Sequence, residues 1–217
     1  WDIQRIGPST GLPTRTSQAD LRFSTNMGHG DSDTIVLMPG DMNECFDFGW
    51  QSFDIAERLQ TPVVILSDLD MGMNQWMSKP FEYPQTPMDR GKVIREEDLE
   101  ELKGNWGRYL DKDGDGIPYR TLPGNKHPMS SYFARGTGHD EHARYSEDAG
   151  VFHRNMMRLK KKFVTAKQYM PKPVIYTTPG AKAAIIAYGS TESAVIEARD
   201  LLAKENDIKA DFLRVRA

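Results

Sequence analysis

An α/β fold built on parallel sheets is what this sequence predicts, on three observations. Two apolar runs, "TIVLMPG" at 34–40 and "TPVVILSD" at 61–68, have the length and composition of buried strands. A segment of helical periodicity lies between them. The same strand–helix–strand rhythm returns at the carboxyl end in "KAAIIAYGS", "TESAVIEARDLLAKEN" and "KADFLRVR".

Taken in order, "WDIQRIG" reads as a short strand and "SQADLRFSTNMG" as a helix from Ser17 that stops at Gly28. Pro39 and Gly40 close the strand that follows. In "DMNECFDFGWQSFDIAERLQ", Asp41 is a natural N-cap with Glu44 placed for a capping box. Phe46, Trp50, Phe53, Ala56 and Leu59 then recur at helical spacing and are expected to face inward. From about Met71 to His142 periodicity fades, and Pro, Gly, Tyr, Trp and charged residues dominate. Trp76, Phe81, Tyr83, Trp106, Tyr109 and Tyr119 argue against disorder, which is poor in aromatics. The expectation is an ordered segment that lies across other parts of an assembly. A long helix is expected from Glu147 to Met170, with Val151, Met156, Leu159, Phe163 and Val164 on its apolar side and "MPKP" as its end. In the last helix Val195, Ala198, Leu201 and Leu202 should turn inward.

Composition excludes several classes. The 217 residues carry a formal net charge of -3, so no basic surface argues for nucleic acid or an anionic membrane as partner. No apolar run approaches the roughly 20 residues of a membrane span. The opening residues lack the charged segment and apolar core of a signal peptide. A single cysteine, Cys45, leaves no intrachain disulfide and fits a reducing, cytoplasmic location. It is also too few for an iron–sulfur site, which takes about four thiolates. Among Phe46, Phe48 and Trp50 it reads as a small buried apolar residue rather than a nucleophile. Both ends of the sequence fall inside strand-like segments, so the chain is expected to be a piece of a longer polypeptide.

The stretch "QRIGPSTGLPTRT", residues 4–16, lies at the carboxyl end of the first strand, where open parallel sheets bind ligands. Pro8 and Pro13 fix φ while Gly7 and Gly11 permit tight turns, so the loop is stiff. It presents the Thr10 and Thr14 hydroxyls in fixed places, and Arg5 adds a bidentate donor for a carboxylate or phosphate. One reading is an anionic small-molecule site. The other is that the hydroxyls cap the next helix and Arg5 pairs with a local carboxylate.

Together "WDIQRIGPSTGLPTRTSQADL", "GHGD", "ECFDFGW", "AERLQTPVVILSDLDMGMNQW" and "YGSTESAVIEARDLL" resemble the α subunit of 2-oxoacid:ferredoxin oxidoreductases, in the 2-oxoglutarate-type branch. The resemblance covers nearly the whole chain. It implies an enzyme that uses thiamine diphosphate to decarboxylate a 2-oxoacid, passes electrons through an iron–sulfur cluster to ferredoxin, and makes an acyl-CoA. It implies that residues 1–85 are the later part of the domain that binds the pyrimidine end of the cofactor. By the same token 86–170 are an ordered connector and long helix, and 171–217 start a transketolase-C-terminal-like domain. Arg5 and Thr14 are similar to positions that face the 2-oxoacid, and Thr10 to a neighbouring active-site hydroxyl. No catalytic residue falls within the chain by this comparison. The glutamate that activates the aminopyrimidine would precede Trp1. The Mg2+–diphosphate site and the cysteines of a 4Fe-4S cluster would belong to a partner β subunit. Coenzyme A follows as co-substrate, and the chain alone is expected to be inactive. The chemistry is compatible. A guanidinium holds a carboxylate, and a threonine hydroxyl donates to the ketone oxygen as it gains charge.

Other motifs admit sharper and plainer readings. Asp111, Asp113, Asp115 and Gly116 of "DKDGDGIPYR" match the opening of a calcium-binding EF-hand loop. Leu122, however, stands where that loop needs Glu, and a tight Asp/Gly turn is the plainer alternative. His29 in "GHGD", Asp68, Asp70 and Asn74 in "LSDLDMGMNQW", and His139 in "RGTGHDEHARYSED" are possible cleft residues. A helix stop, helix caps and an ordered loop are their plainer roles. Two rival functions stand beside the main one. One is a thiamine-dependent dehydrogenase or transketolase-type enzyme that needs no ferredoxin. The other is a calcium-stabilised binding module centred on Asp111–Asp115.

Overall fold

Three short strands pair in parallel near the amino end: β1 (Asp2–Gln4), β2 (Ile35–Leu37) and β3 (Val63–Asp68). β3 is central, with Asp2 opposite Leu66 on one side and Ile35 opposite Val63 on the other. The computed structural model describes residues 1–7, 15–30, 32–134 and 136–217. Thr10 and Thr14 lie outside the described residues.

The crossover helices are α1 (Ala19–Thr25) and α2 (Met42–Leu59). α1 starts two residues later than the sequence suggests, because Gln18 rather than a capping hydroxyl stands before it. α2 begins as expected: the Asp41 carboxylate accepts from the Glu44 N–H at 2.8 Å. It buries Phe48 and Ile55 together with the predicted Leu59, whereas Phe46 and Phe53 of the predicted row are not fully buried. Both rows satisfy helical spacing, so periodicity alone does not choose between them. Phe53 is 60% exposed, and Phe46 is covered by the chain that follows. There it stacks on Phe81 at 4.9 Å and meets Tyr83 edge-on.

β3 runs into α3 (Leu69–Met73). The next seventy-odd residues hold one helix, α4 (Glu96–Leu102), and one 3-10 turn at Pro128–Ser130. This connector is tied down by charge: Arg58 pairs with Asp89, Arg90 and Arg120 with Glu57, and Lys92 with Asp113 and Asp115. It also sends Ile117 into the core. α5 (Ala149–Ala166) follows, capped by Asp148 and extended by a 3-10 turn at Lys167–Tyr169. Its buried residues are Asn155, Lys162 and Ala166, while Val164, expected inside, is exposed. The buried row faces the connector, which the sequence pattern could not locate.

Alternation along the strands divides the core in two. Ile35, Leu37 and Ile65 pack with Phe48, Ile55 and Leu59 of α2, with Ile117 and with Ala166 of α5. Val36, Met38 and Leu66 face the other way, onto Leu21 of α1 and onto Tyr188 and Val215 of a second sheet. That sheet consists of β4 (Val174–Tyr176), β5 (Ala183–Tyr188) and β6 (Ala210–Val215), in the order β4-β6-β5. β5 and β6 are parallel and joined through α6 (Glu192–Asn206); β4 is antiparallel and not anticipated from sequence. α6 has no fully buried residue, and Ala198 and Leu201 are exposed rather than inward. Among the described residues no helix is long and apolar enough to cross a membrane.

Candidate functional site

The carboxyl ends of β1 and β3 lie side by side. Before position 8, the Arg5 backbone N–H donates to Asp20 in the first turn of α1 at 2.9 Å. After position 14, the Thr16 hydroxyl oxygen accepts from the Leu69 N–H at 3.3 Å. α3 packs against β1, with Gly72 facing the Ile3 side chain. Arg5, Asp70 and Asn74 therefore share one end of the sheet, and all three are exposed.

Asp68 organises this edge. It is 4% exposed and ends β3. One carboxylate oxygen accepts from the Met71 N–H at 3.0 Å, which starts α3. The other accepts from the Ser190 hydroxyl at 2.7 Å and the Ser190 N–H at 3.2 Å. Gly189 sits at φ +70°, and a side chain there would press on the same carboxylate. Beside Asp68, the buried Gln4 donates to the Ser67 carbonyl at 3.1 Å and accepts from the Tyr188 hydroxyl at 3.0 Å. Burial, and then the negative charge of Asp68, raise the Tyr188 phenol above its ordinary value, so it stays a donor.

A second seam lies where Gly40 ends the β2 segment. Arg214 bridges Glu44 at 2.7 Å and Glu192 at 2.5 Å, and Arg216 adds a contact to Glu44 at 2.9 Å. Burial alone would raise the Glu44 carboxyl. Arg214, the Gly40 N–H and Arg216 outweigh it and hold the group below its usual value.

The remaining sequence candidates lie elsewhere. His29 follows α1 and precedes β2, which puts it at the opposite, amino-terminal end of the sheet. His139 stacks on Tyr109 at 3.8 Å, and its carbonyl accepts from Asn155 of α5 at 2.6 Å. Its partners are in the connector and α5, not at the Arg5 edge. In the aspartate loop, where the sequence suggested a bound metal, the seated cation is an ammonium. Lys92 Nζ lies 2.6 Å from Asp113 and 2.8 Å from Asp115. Burial opposes the charge on Lys92, but the two carboxylates more than offset it and raise its pKa. Both Asp111 oxygens accept backbone N–H groups, from Asp115 and Gly116. Among the described residues no group of three or more His, Cys, Asp or Glu is placed to hold a metal ion.

Sequence reasoning read Asp68 as a helix cap, which its bond to the Met71 N–H bears out, but missed its link to Ser190 and the Gln4–Tyr188 bond beside it. The only signals were a polar residue inside an apolar strand and a Gly-Ser pair after β5. The donors at the Arg5 edge suit a carboxylate-bearing ligand.

Residues 1–106, which include the first sheet and this edge, match the family model "Pyruvate flavodoxin/ferredoxin oxidoreductase, thiamine diP-bdg". The 2-oxoacid:ferredoxin oxidoreductase 2 α subunit of Aeropyrum pernix is 34% identical over 98% of this chain and 32% of its own length. The chain is a homologue of the 2-oxoacid:ferredoxin oxidoreductase α subunits. The corresponding subunit of Saccharolobus solfataricus is 32% identical over 98% of this α-subunit homologue and 33% of its own length. The 2-oxoglutarate synthase subunit KorA of Methanothermobacter thermautotrophicus is 28% identical, over 99% of this chain and 54% of its own. A solved structure of 2-oxoglutarate:ferredoxin oxidoreductase from Magnetococcus marinus, with 2-oxoglutarate, coenzyme A and succinyl-CoA bound, superposes with a TM-score of 0.83 at 28% identity. That match covers 99% of this chain and 36% of the neighbour. The α-subunit homologue thus spans about a third of the length of the first relatives it matches.

Proposed function

We propose that this chain is part of the α subunit of a 2-oxoacid:ferredoxin oxidoreductase that acts on 2-oxoglutarate, and that loop 4–16 meets the substrate. The observation that carries the reading is a loop fixed at both ends, bearing Arg5, at the carboxyl edge of a parallel sheet within the thiamine-diphosphate family match. The Arg5 guanidinium takes a substrate carboxylate, and the Thr14 and Thr10 hydroxyls donate to the carboxylate or the ketone oxygen. Thiamine diphosphate, when bound, supplies the electron sink for losing carbon dioxide. The chain's own part is to orient the acid end of the substrate. Asp68 and Ser190 hold the edge that carries Arg5 and α3.

The proposed division is 1–85 for the later part of the pyrimidine-binding domain, 86–170 for connector and long helix, and 171–217 for the start of a further α/β domain. A β subunit supplies Mg2+ with the diphosphate and the 4Fe-4S cluster, coenzyme A takes the acyl group, and ferredoxin takes the electrons. The proposed setting is the cytoplasm, and the chain alone turns nothing over.

The test is Arg5→Ala in the complete enzyme. KM for 2-oxoglutarate should rise about tenfold or more while KM for coenzyme A stays unchanged. Equal changes in both constants would overturn the assignment.

A further inference from the structure

At the amino-terminal end of the first sheet, opposite the Arg5 edge, a cleft of about 360 Å3 opens between the loops entering β2 and β3 and the side of α5. Ser32 and Thr61 line it from the loops; Met156, Leu159, Lys162 and Phe163 line it from the helix. Lys162 is 6% exposed. Its ammonium makes one long hydrogen bond, 3.4 Å to the Gln60 carbonyl, and sits 5.2 Å from the Phe163 ring centroid. None of the ion pairs among the described residues includes it.

The two charges that act most on Lys162, Arg158 and Arg108, have its own sign. Burial, then Arg158 and Arg108, push its ammonium down to about 8. Arg158 donates to the Gly116 carbonyl at 3.2 Å, and the Nε atoms of Arg158 and Arg108 are buried without a partner. A buried cation held by one long carbonyl bond and an aromatic ring is costly, and an anion relieves that cost. A carboxylate head suits an ammonium in a cleft whose lining also carries the Ser32 and Thr61 hydroxyls. Thioether, aliphatic and aromatic walls fit a short hydrocarbon tail. Asp33, exposed on the cleft lining, disfavours anions of higher charge.

We propose that this cleft binds a small monocarboxylate with a short aliphatic tail, with Lys162 as its counter-ion and Ser32 and Thr61 as additional donors. The site is separate from the 2-oxoacid edge and does not depend on that reading.

The probe is butyrate, followed by saturation-transfer NMR on the complete enzyme with 2-oxoglutarate present in excess. Transfer to the butyrate tail is expected, with half-saturation in the millimolar range and no transfer to neutral butyramide. Lys162→Met should weaken butyrate by about tenfold or more. If that variant does not assemble, Ser32→Ala carries the test, because Ser32 is exposed; it should weaken butyrate several-fold. No transfer in the wild type, equal transfer to butyramide, or unchanged affinity in the variant measured would overturn the proposal.

Discussion

Tyr188 of the second sheet donates its hydroxyl hydrogen to the side-chain oxygen of Gln4 in the first, across 3.0 Å and 184 positions of sequence. Gln4 is 2% exposed, so this bond is made away from water. Tyr188→Phe removes the donor and leaves a buried acceptor unpaired. The expected loss is about 1–3 kcal/mol in urea unfolding, with an unchanged slope against denaturant. A double substitution with Gln4→Leu should cost less than the two single losses added, because the orphaned oxygen is then gone.

The Glu44–Arg214 pair is a second clamp between the sheets, with the Arg214 side chain 3% exposed. Glu44→Gln should destabilise by about 3 kcal/mol, the lower end for breaking a buried pair, since Arg214 keeps Glu192. The acid response gives the sign. The folded carboxyl lies below its ordinary 4.5, so the contribution is complete above that value and is lost as pH falls through the folded value. Melting curves of the variant should therefore be flatter in acid than those of the wild type.

Cys45 lies against Met71, sulfur to sulfur at 3.8 Å. Burial first, then the nearby carboxylates of Asp41, Asp68 and Glu44, push its thiol from 9.0 to about 11 against a hydrogen bond with Ser67. At pH near 8 the folded protein should react with iodoacetamide about a hundredfold more slowly at Cys45 than the urea-unfolded protein. Peptide mapping after timed alkylation reads this directly. Comparable rates would mean that the thiol is open to solvent.

Lys162 predicts an alkaline effect of the same sign as that of Glu44: stability that rises with pH. Its folded value, about 8, lies below the ordinary 10.5, so the unfolded chain binds more protons between the two. Stability should then rise with pH across that window, by up to about 3 kcal/mol, when no carboxylate is present. Lys162→Met should remove the rise. Parallel urea titrations of both proteins at several pH values measure the difference.

Much of the fold was legible because its signals are local. Asp41 with Glu44, the apolar runs at 34–40 and 61–68, and the βαβ order around α6 each depend on neighbours in sequence. The Arg5 edge was legible only in part. Arg5, Asp70 and Asn74 do share the carboxyl end of the first sheet, whereas His29 is sent to the other end by one crossover. Asp68, buried and bonded twice to Ser190, has no local signature that separates it from Asp70 two positions on.

By itself the sequence determined most of the segments that become strand or helix, though not β4, α3 or α4, together with the parallel pairing and which hydroxyls and guanidinium flank the first strand. Spacing and side-chain shape carry that information over a few residues. Only the tertiary structure decided that Phe48 rather than Phe46 enters the core, that Lys92 is the cation of the aspartate loop, and that Lys162 is buried among like charges. Those outcomes depend on which distant surface covers each face, and solvent exclusion and charge pairing act through space, not along the chain.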